Sequence, residues 1–211
     1  MYNAVEMNSW SELYDCIGTG GYFASPVPHP VTFENLGVMV LIKDDFELVS
    51  LYPIVLSNAI PIPANVPVIL VAEKDVTIKR INYGIGDRFF SLGTNATLTL
   101  GKKGMGGTLT LSGYLPPSGG NNAQAIVSLG DATARLFMND GVTIKNNKGD
   151  LIPTCGGVYI GSGEFTMEGG TITGNDIGVY FPFGSTGEFI KQGGTVSGNG
   201  TGNYGNGTWT E

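Results

Sequence analysis

"MEGGTITGND" occupies residues 167–176 and "KQGGTVSGNG" occupies 191–200. The shared "GGTxxGN" admits two readings. Its glycines could cradle a ligand, with Asn175 and Asn199 in contact with it, or it could be one corner of a structure built by repetition. The flanking residues decide between them. Four segments align: "FFSLGTNATLTLG" (89–101), "IVSLGDATARLFMNDGVTIKNN" (126–147), "GVYIGSGEFTMEGGTITGN" (157–175) and "GVYFPFGSTGEFIKQGGTVSGN" (178–199). Each opens with an apolar alternating run and a Gly-containing turn. A second run follows, at 97–100, 135–138, 164–167 and 188–191. The last three segments continue through Gly to "VTI", "TIT" or "TVS" and then an asparagine: Asn147, Asn175 or Asn199. "GTLTLSG" (107–113) fits as the third strand of the first segment, and "KDVTIKR" (74–80) as part of an earlier turn.

Three short strands per repeat of roughly 25 residues, with turns and no helix between them, describe one coil of a β-solenoid. Period-two alternation then sorts the side chains. Ile172 points inward, Thr171 and Thr173 outward, and Ile144 and Val196 share the inward column. A second core stack is expected from Met138, Met167 and Ile190, together with Phe165, Leu136, Phe189, Leu98 and Leu100. Asn147, Asn175 and Asn199 are expected to form a structural ladder at the following corner.

The bulk composition agrees with a chain of strands and turns. Of 211 residues, 34 are glycine and only 14% are charged, which excludes a long helical bundle. Apolar runs such as "VPVILVA" (66–72) are strand-sized, far short of the ~18 residues of a membrane span. A net charge of −7 argues against nucleic acid as a partner. Residues 1–66 carry seven acids against Lys43, residues 67–148 carry nine bases against five acids, and the remainder carries six acids against Lys191. Cys16 and Cys155 are too few for a disulfide framework and too far apart for a metal motif, so both are expected as buried thiols.

The N-terminal part reads differently. In "NSWSELYDCIGTGG" (8–21), Ser9 and Glu12 have capping-box spacing. Trp10, Leu13, Tyr14 and Ile17 share one helical face, and Gly18 and Gly20 end the segment. A short helix over 9–17 is expected to close the open end of the solenoid, as solenoids require. The expected organisation is a cap and lead-in over 1–30 and coils over 31–211, with the best-defined repeats at 89–199. No basic stretch followed by an apolar run marks a signal peptide. The composition favours a trimmed extracellular or cell-surface chain over an internal one.

"GVYIGSGEFTMEGGTITGN" resembles the glycine-rich repeats of bacterial right-handed parallel β-helix proteins of the pectin-lyase-like superfamily. The resemblance extends over 157–199 and, less closely, over 60–147, where "PIPANVPVILVAEKDVTIKR" is similar to the family's N-terminal coil. It implies an all-β, right-handed parallel β-helix with a short N-terminal capping helix, in a surface or secreted protein. It does not fix an activity.

Hydrolases of this fold carry an "NxD", an adjacent aspartate pair and a "GHG". Here the one histidine, His29, lies between Pro28 and Pro30, and the pair Asp44-Asp45 falls where the resemblance is weak. Lyases of the fold hold calcium with several carboxylates and use an Arg or Lys as base. A calcium site needs six to eight oxygens, and no such set gathers in the aligned positions, so no cofactor or metal is expected, with calcium left open. Arg135 aligns with Glu164 and Glu188 and reads as a surface pair. "GTGG" and "GKKGMGG" lack the helix that a phosphate loop requires. The Thr-x-Thr positions resemble a water-ordering array, but lysines break it. Two features suit binding: the polar insertion "GYLPPSGGNNAQ" (113–124) with Asn121 and Asn122, and "VYFPFG" (179–184), whose Tyr180, Phe181 and Phe183 could stack on a sugar ring. The function expected is therefore a non-catalytic surface or secreted scaffold, adhesive or carbohydrate-binding, with a glycan or other host or cell-surface component as partner. A polysaccharide lyase or glycoside hydrolase of the same fold is the alternative.

Overall fold

The computed structural model describes residues 5–8, 12, 16–17, 38–48, 59–80, 88–113, 124–149 and 156–211. These form three parallel sheets. Sheet A runs β1 (Val5–Met7), β2 (Val38–Ile42), β5 (Val68–Ala72), β8 (Thr97–Leu100), β11 (Arg135–Met138), β14 (Glu164–Met167), β17 (Glu188–Lys191) and β20 (Thr208–Thr210). Sheet B runs β3 (Phe46–Leu48), β6 (Val76–Arg80), β9 (Leu109–Ser112), β12 (Val142–Lys145), β15 (Thr171–Thr173) and β18 (Thr195–Val196). Sheet C runs β4 (Ile60–Ile62), β7 (Phe90–Leu92), β10 (Val127–Leu129), β13 (Gly156–Ile160), β16 (Ile177–Tyr180) and β19 (Thr201–Tyr204).

From β2 onward the chain visits A, B and C in strict rotation, so each circuit is one coil of three strands. The architecture is a right-handed parallel β-helix, the hand that nearly all parallel crossovers take. Each coil satisfies its backbone on the coils before and after it, a spacing of ~4.8 Å.

Alternation places the inward residues in columns that form the core. In sheet A, Val38, Val68, Leu98, Leu136, Phe165, Phe189 and Trp209 are in register. The Phe165 and Phe189 rings stack at 4.7 Å, and Trp209 meets Phe189 edge-on at 4.4 Å. The neighbouring inward column runs Val40, Leu70, Leu100, Met138, Met167 and then Lys191. In sheet B the inward column is Ile78, Leu111, Ile144, Ile172 and Val196.

One expected member of the core stack is displaced. Ile190 pairs with Thr166 in the outward column, while Phe189 takes the inward position. Period-two parity requires this, because a one-residue slip would turn Phe189 out. Lys191 therefore falls in line with Met167, and its ammonium reaches Glu211 at 3.2 Å.

The glycines of the opening motif make the corner between sheets A and B and end the third strand. Gly170 has φ +82° and Gly174 has φ +68°. A Cβ on Gly170 would lie 2.6 Å from the Val142 carbonyl oxygen. The position before the ladder asparagine is Asn146, at φ +58°, one coil earlier and Gly198, at φ +65°, one coil later. Asn is the non-glycine residue best suited to that conformation.

Most of the expected cap over 9–17, including Trp10, Leu13 and Tyr14, lies outside the described residues. Within it, Glu12 accepts a hydrogen bond from the Asn8 N–H at 2.7 Å, four residues away, where the capping-box reading had placed Ser9. Cys16 and Ile17 are buried and join the same hydrophobic cluster as the coils. Burial pushes the Cys16 thiol up to about 11. Cys155 lies outside the described residues. Strand β1 precedes the expected cap and pairs with β2, so sheet A begins before residue 31.

Candidate functional site

The corner between sheets B and C holds the most extensive polar network of the described residues. Asn147 and Asn175 have no solvent exposure. The Asn147 N–H donates to Asn175 Oδ1 at 3.0 Å, and the Asn175 N–H donates to Asn199 Oδ1 at 3.0 Å. Each side-chain amide donates onward: Asn147 to the Gln124 and Gly156 carbonyls, Asn175 to the Ile144 carbonyl, and Asn199 to the Ile172 carbonyl. Asn175 Oδ1 and Asn199 Oδ1 accept backbone N–H groups of the preceding coil, and the side-chain amides donate to carbonyls and, for Asn175, also to Asn199 Oδ1 at 3.0 Å. That leaves no ligand-directed group at Asn147 or Asn175.

Sequence reasoning missed the residue that begins this ladder. Arg80 is inward by parity with Val76 and Ile78 and is almost wholly buried. Its Nη1 donates to Asn147 Oδ1 at 3.2 Å and to the Gln124 carbonyl at 3.3 Å. Its guanidinium carbon lies 5.3 Å from the centre of the Phe89 ring. The signal was available, since "VTIKR" alternates Val, Ile, Arg on one face.

The expected aromatic platform is not assembled. Tyr180 is 6% exposed, Phe181 is 3% exposed, and only Phe183, at 97%, projects into solvent. Tyr180 lies on the outer face of sheet C in register with Tyr159 and Tyr204. The Tyr159 and Tyr180 rings are 5.7 Å apart, so an outward position becomes buried by its neighbours. Phe181 packs under the last coil, where a Cβ on Gly207 would overlap its ring. Asn121 and Asn122 lie outside the described residues.

The carboxylates are placed around the whole section of the helix. Asp44, Asp45, Asp75, Asp140 and Glu168 lie at the corner between A and B, Asp131 at the corner between C and A, and Asp176 at the corner between B and C. Asp44 pairs with Lys74. Asp45 accepts the Thr77 N–H at 2.6 Å, Asp75 accepts the Thr108 N–H at 2.9 Å, and Asp176 accepts the Gly149 N–H at 2.7 Å. Hydrogen bonds from the Thr133 hydroxyl and N–H, and from the Thr94 hydroxyl, hold the Asp131 carboxyl below its ordinary range. Glu164 and Glu188 are register neighbours on the outer face of sheet A, and Arg135 reaches Glu164 at 3.8 Å. Among the described residues, no three His, Cys, Asp or Glu side chains converge to hold a metal ion. Asp150 lies outside them. No described helix is long and apolar enough to cross a membrane.

The outer face of sheet B is the most regular surface. Thr77, Thr110, Thr143, Thr171 and Thr195 are in register on five successive coils. Beside them runs a second outward column of Lys79, Ser112, Lys145 and Thr173. Thr110 and Ser112 were not placed in the array from sequence, because the longer turn before β9 hides their register.

Comparison with protein-family models, with curated proteins and with solved structures finds no match to this chain.

Proposed function

We propose that this chain is a non-catalytic β-helix scaffold of a surface or secreted protein, akin to the glycine-rich repeats of the pectin-lyase-like superfamily, and that it presents its faces to glycans. The observation that carries the reading is what the carboxylates do. Asp45, Asp75, Asp131 and Asp176 accept hydrogen bonds that tie one coil or turn to the next, so their chemistry is spent on holding the coils in register. General acid–base cleavage of a glycoside needs two carboxyl groups facing one bond, about 5–10 Å apart. Glu164 and Glu188 favour the alternative of a glycan-cleaving enzyme, since they are neighbours on one face. Glu164 is engaged there by Arg135 and by the Thr166 hydroxyl.

Incubation with a panel of neutral, uronate and sulfated polysaccharides, with and without calcium, tests the reading. A scaffold yields no new reducing ends and no unsaturated products. Cleavage that disappears in Glu164→Gln or Glu188→Gln would replace this reading with the enzymatic one.

A further inference from the structure

The described lysines divide into two groups. Lys43, Lys74 and Lys191 each pair with a carboxylate, at Glu6, Asp44 and Glu211. Lys79, Lys102, Lys103, Lys145 and Lys148 make no ion pair among the described residues, although the chain as a whole carries −7. Lys79, Lys145 and Lys148 are not scattered. Lys79, which Glu47 precedes in register, and Lys145 occupy one outward column of sheet B, two coils apart with the buried Ser112 between them. That separation is about 9.5 Å along the helix axis, twice the strand spacing. Lys148 follows Asn147 at the corner where this column ends.

Each sheet B strand runs from the corner with A to the corner with C. The lysine column therefore lies on the side away from Asp45, Asp75, Asp140 and Glu168. Lys102 and Lys103, also without ion pairs, lie in the turn at that other corner, between β8 and β9. At the near corner Asp176 is engaged by the Gly149 N–H. The lysine strip is bordered by the half-buried Thr77, Thr110 and Thr143, whose hydroxyls repeat at the coil spacing of ~4.8 Å.

We propose that this strip of sheet B docks a linear sulfated glycan lying along the helix axis, with sulfates on Lys79, Lys145 and Lys148 and sugar hydroxyls on the threonine column. The proposal rests on the scaffold reading above and adds the ligand class and the face. Charge complementarity selects an anion, and the repeat in register selects an extended chain. The three arginines are engaged elsewhere, with Arg80 in the asparagine ladder, Arg88 over Tyr159 and Arg135 on Glu164. The cations of the strip are thus all ammonium groups, and from Lys79 to Thr173 the column carries no carboxylate. Ammonium groups bind as point charges from any direction, which suits a tetrahedral sulfate, whereas planar carboxylates are best matched by the guanidinium fork. The outward columns of this face carry no aromatic side chain on which a nucleic-acid base could stack.

The test is calorimetric titration of the full chain, at about 0.15 M salt, with a heparin-type oligosaccharide, its desulfated counterpart, a polyuronate and single-stranded DNA. The sulfated chain is expected to bind, and to bind at least about tenfold more weakly when Lys79→Gln and Lys145→Gln are combined. Lys102→Gln combined with Lys103→Gln, which removes the same two charges at the other corner, is expected to leave binding intact. Thermal melts of each variant keep a loss of fold separate from a loss of contact. Undiminished binding by the double variant, equal binding of the desulfated chain, or preference for DNA would overturn the proposal. Cleavage of the bound glycan would remove the scaffold reading and leave the docking face standing. A glycan neither bound nor cleaved would remove only the docking face.

Discussion

Asn175 and Asn199 occupy equivalent corners, and each donates its side-chain amide to a carbonyl of the preceding coil. Asn175 has a coil on both sides and no exposure, whereas Asn199 is half-buried in the last turn of the ladder. The same contrast holds for Ile172 against Val196, and for Phe165 against Trp209. Chemistry and register are shared within each pair, and the number of flanking coils is not. In a solenoid, stability is close to a sum of repeat and nearest-neighbour interface terms. The weight of a side chain is then set by how many interfaces it completes.

The largest expected effect is in the core column. Phe165→Ala should cost about 3–5 kcal/mol in urea melts, since it opens a cavity between Leu136 and Phe189. Trp209→Ala, at the half-buried end of that column, should cost clearly less despite the larger side chain. Equal losses would break the comparison.

Turns sharpen the same point. Gly170 and Gly104 both have positive φ, but a Cβ on Gly104 would meet open space and one on Gly170 would strike the Val142 carbonyl. Gly104→Ala should cost about 1–2 kcal/mol from conformation alone. Gly170→Ala should cost roughly 2–4 kcal/mol, because overpacking is added. If the two variants melt together, the close coil contact at Gly170 is wrong.

At the ladder, Asn175→Ala should lose about 2–3 kcal/mol, because it strands the Asn147 N–H inside the coil stack and removes the amide's bond to the Ile144 carbonyl. Asn199→Ala should lose about 1 kcal/mol, since water reaches its corner.

The smallest effects are in pH dependence. Asp131 has a lowered pKa, so its contribution is complete above the ordinary aspartate range and is lost as pH falls through the lowered value. Asp131→Asn should flatten the acid limb of the stability profile. Cys16 is the opposite case. Its thiol rises from 9.0 to about 11, so its contribution is complete below 9.0 and is lost as pH rises from there toward 11. Cys16→Ala should remove that alkaline limb.

Much of this arrangement is legible in the sequence, because a solenoid turns local pattern directly into position. The second-strand segments 97–100, 135–138, 164–167 and 188–191 coincide with β8, β11, β14 and β17. The spacing of Asn147, Asn175 and Asn199 marks one corner. Parity was ambiguous where apolar residues adjoin. "EFIK" leaves Phe189 or Ile190 able to face in, and only the pairing register decides. Tyr180 is obscure in the sequence for another reason. Its outward direction follows from alternation, but it is buried beside Tyr159 one coil away, which no local window contains. Strand β1 is three residues with a glutamate at the centre and shows no periodicity of its own. The candidate docking strip depends on register between Lys79, Ser112 and Lys145, and the variable turns between coils hide that register in the linear sequence.

The coils are locked to one another through the asparagine corner, and hydrogen exchange in Asn175→Ala tests that lock most directly. The Asn147 N–H donates to Asn175 Oδ1 in the next coil, whereas the N–H of residue 175 donates to Asn199 Oδ1 and keeps that acceptor in the variant. Protection at residue 147 should therefore collapse while protection at residue 175 persists. Unchanged protection at residue 147 would contradict the ladder and the coil register built on it.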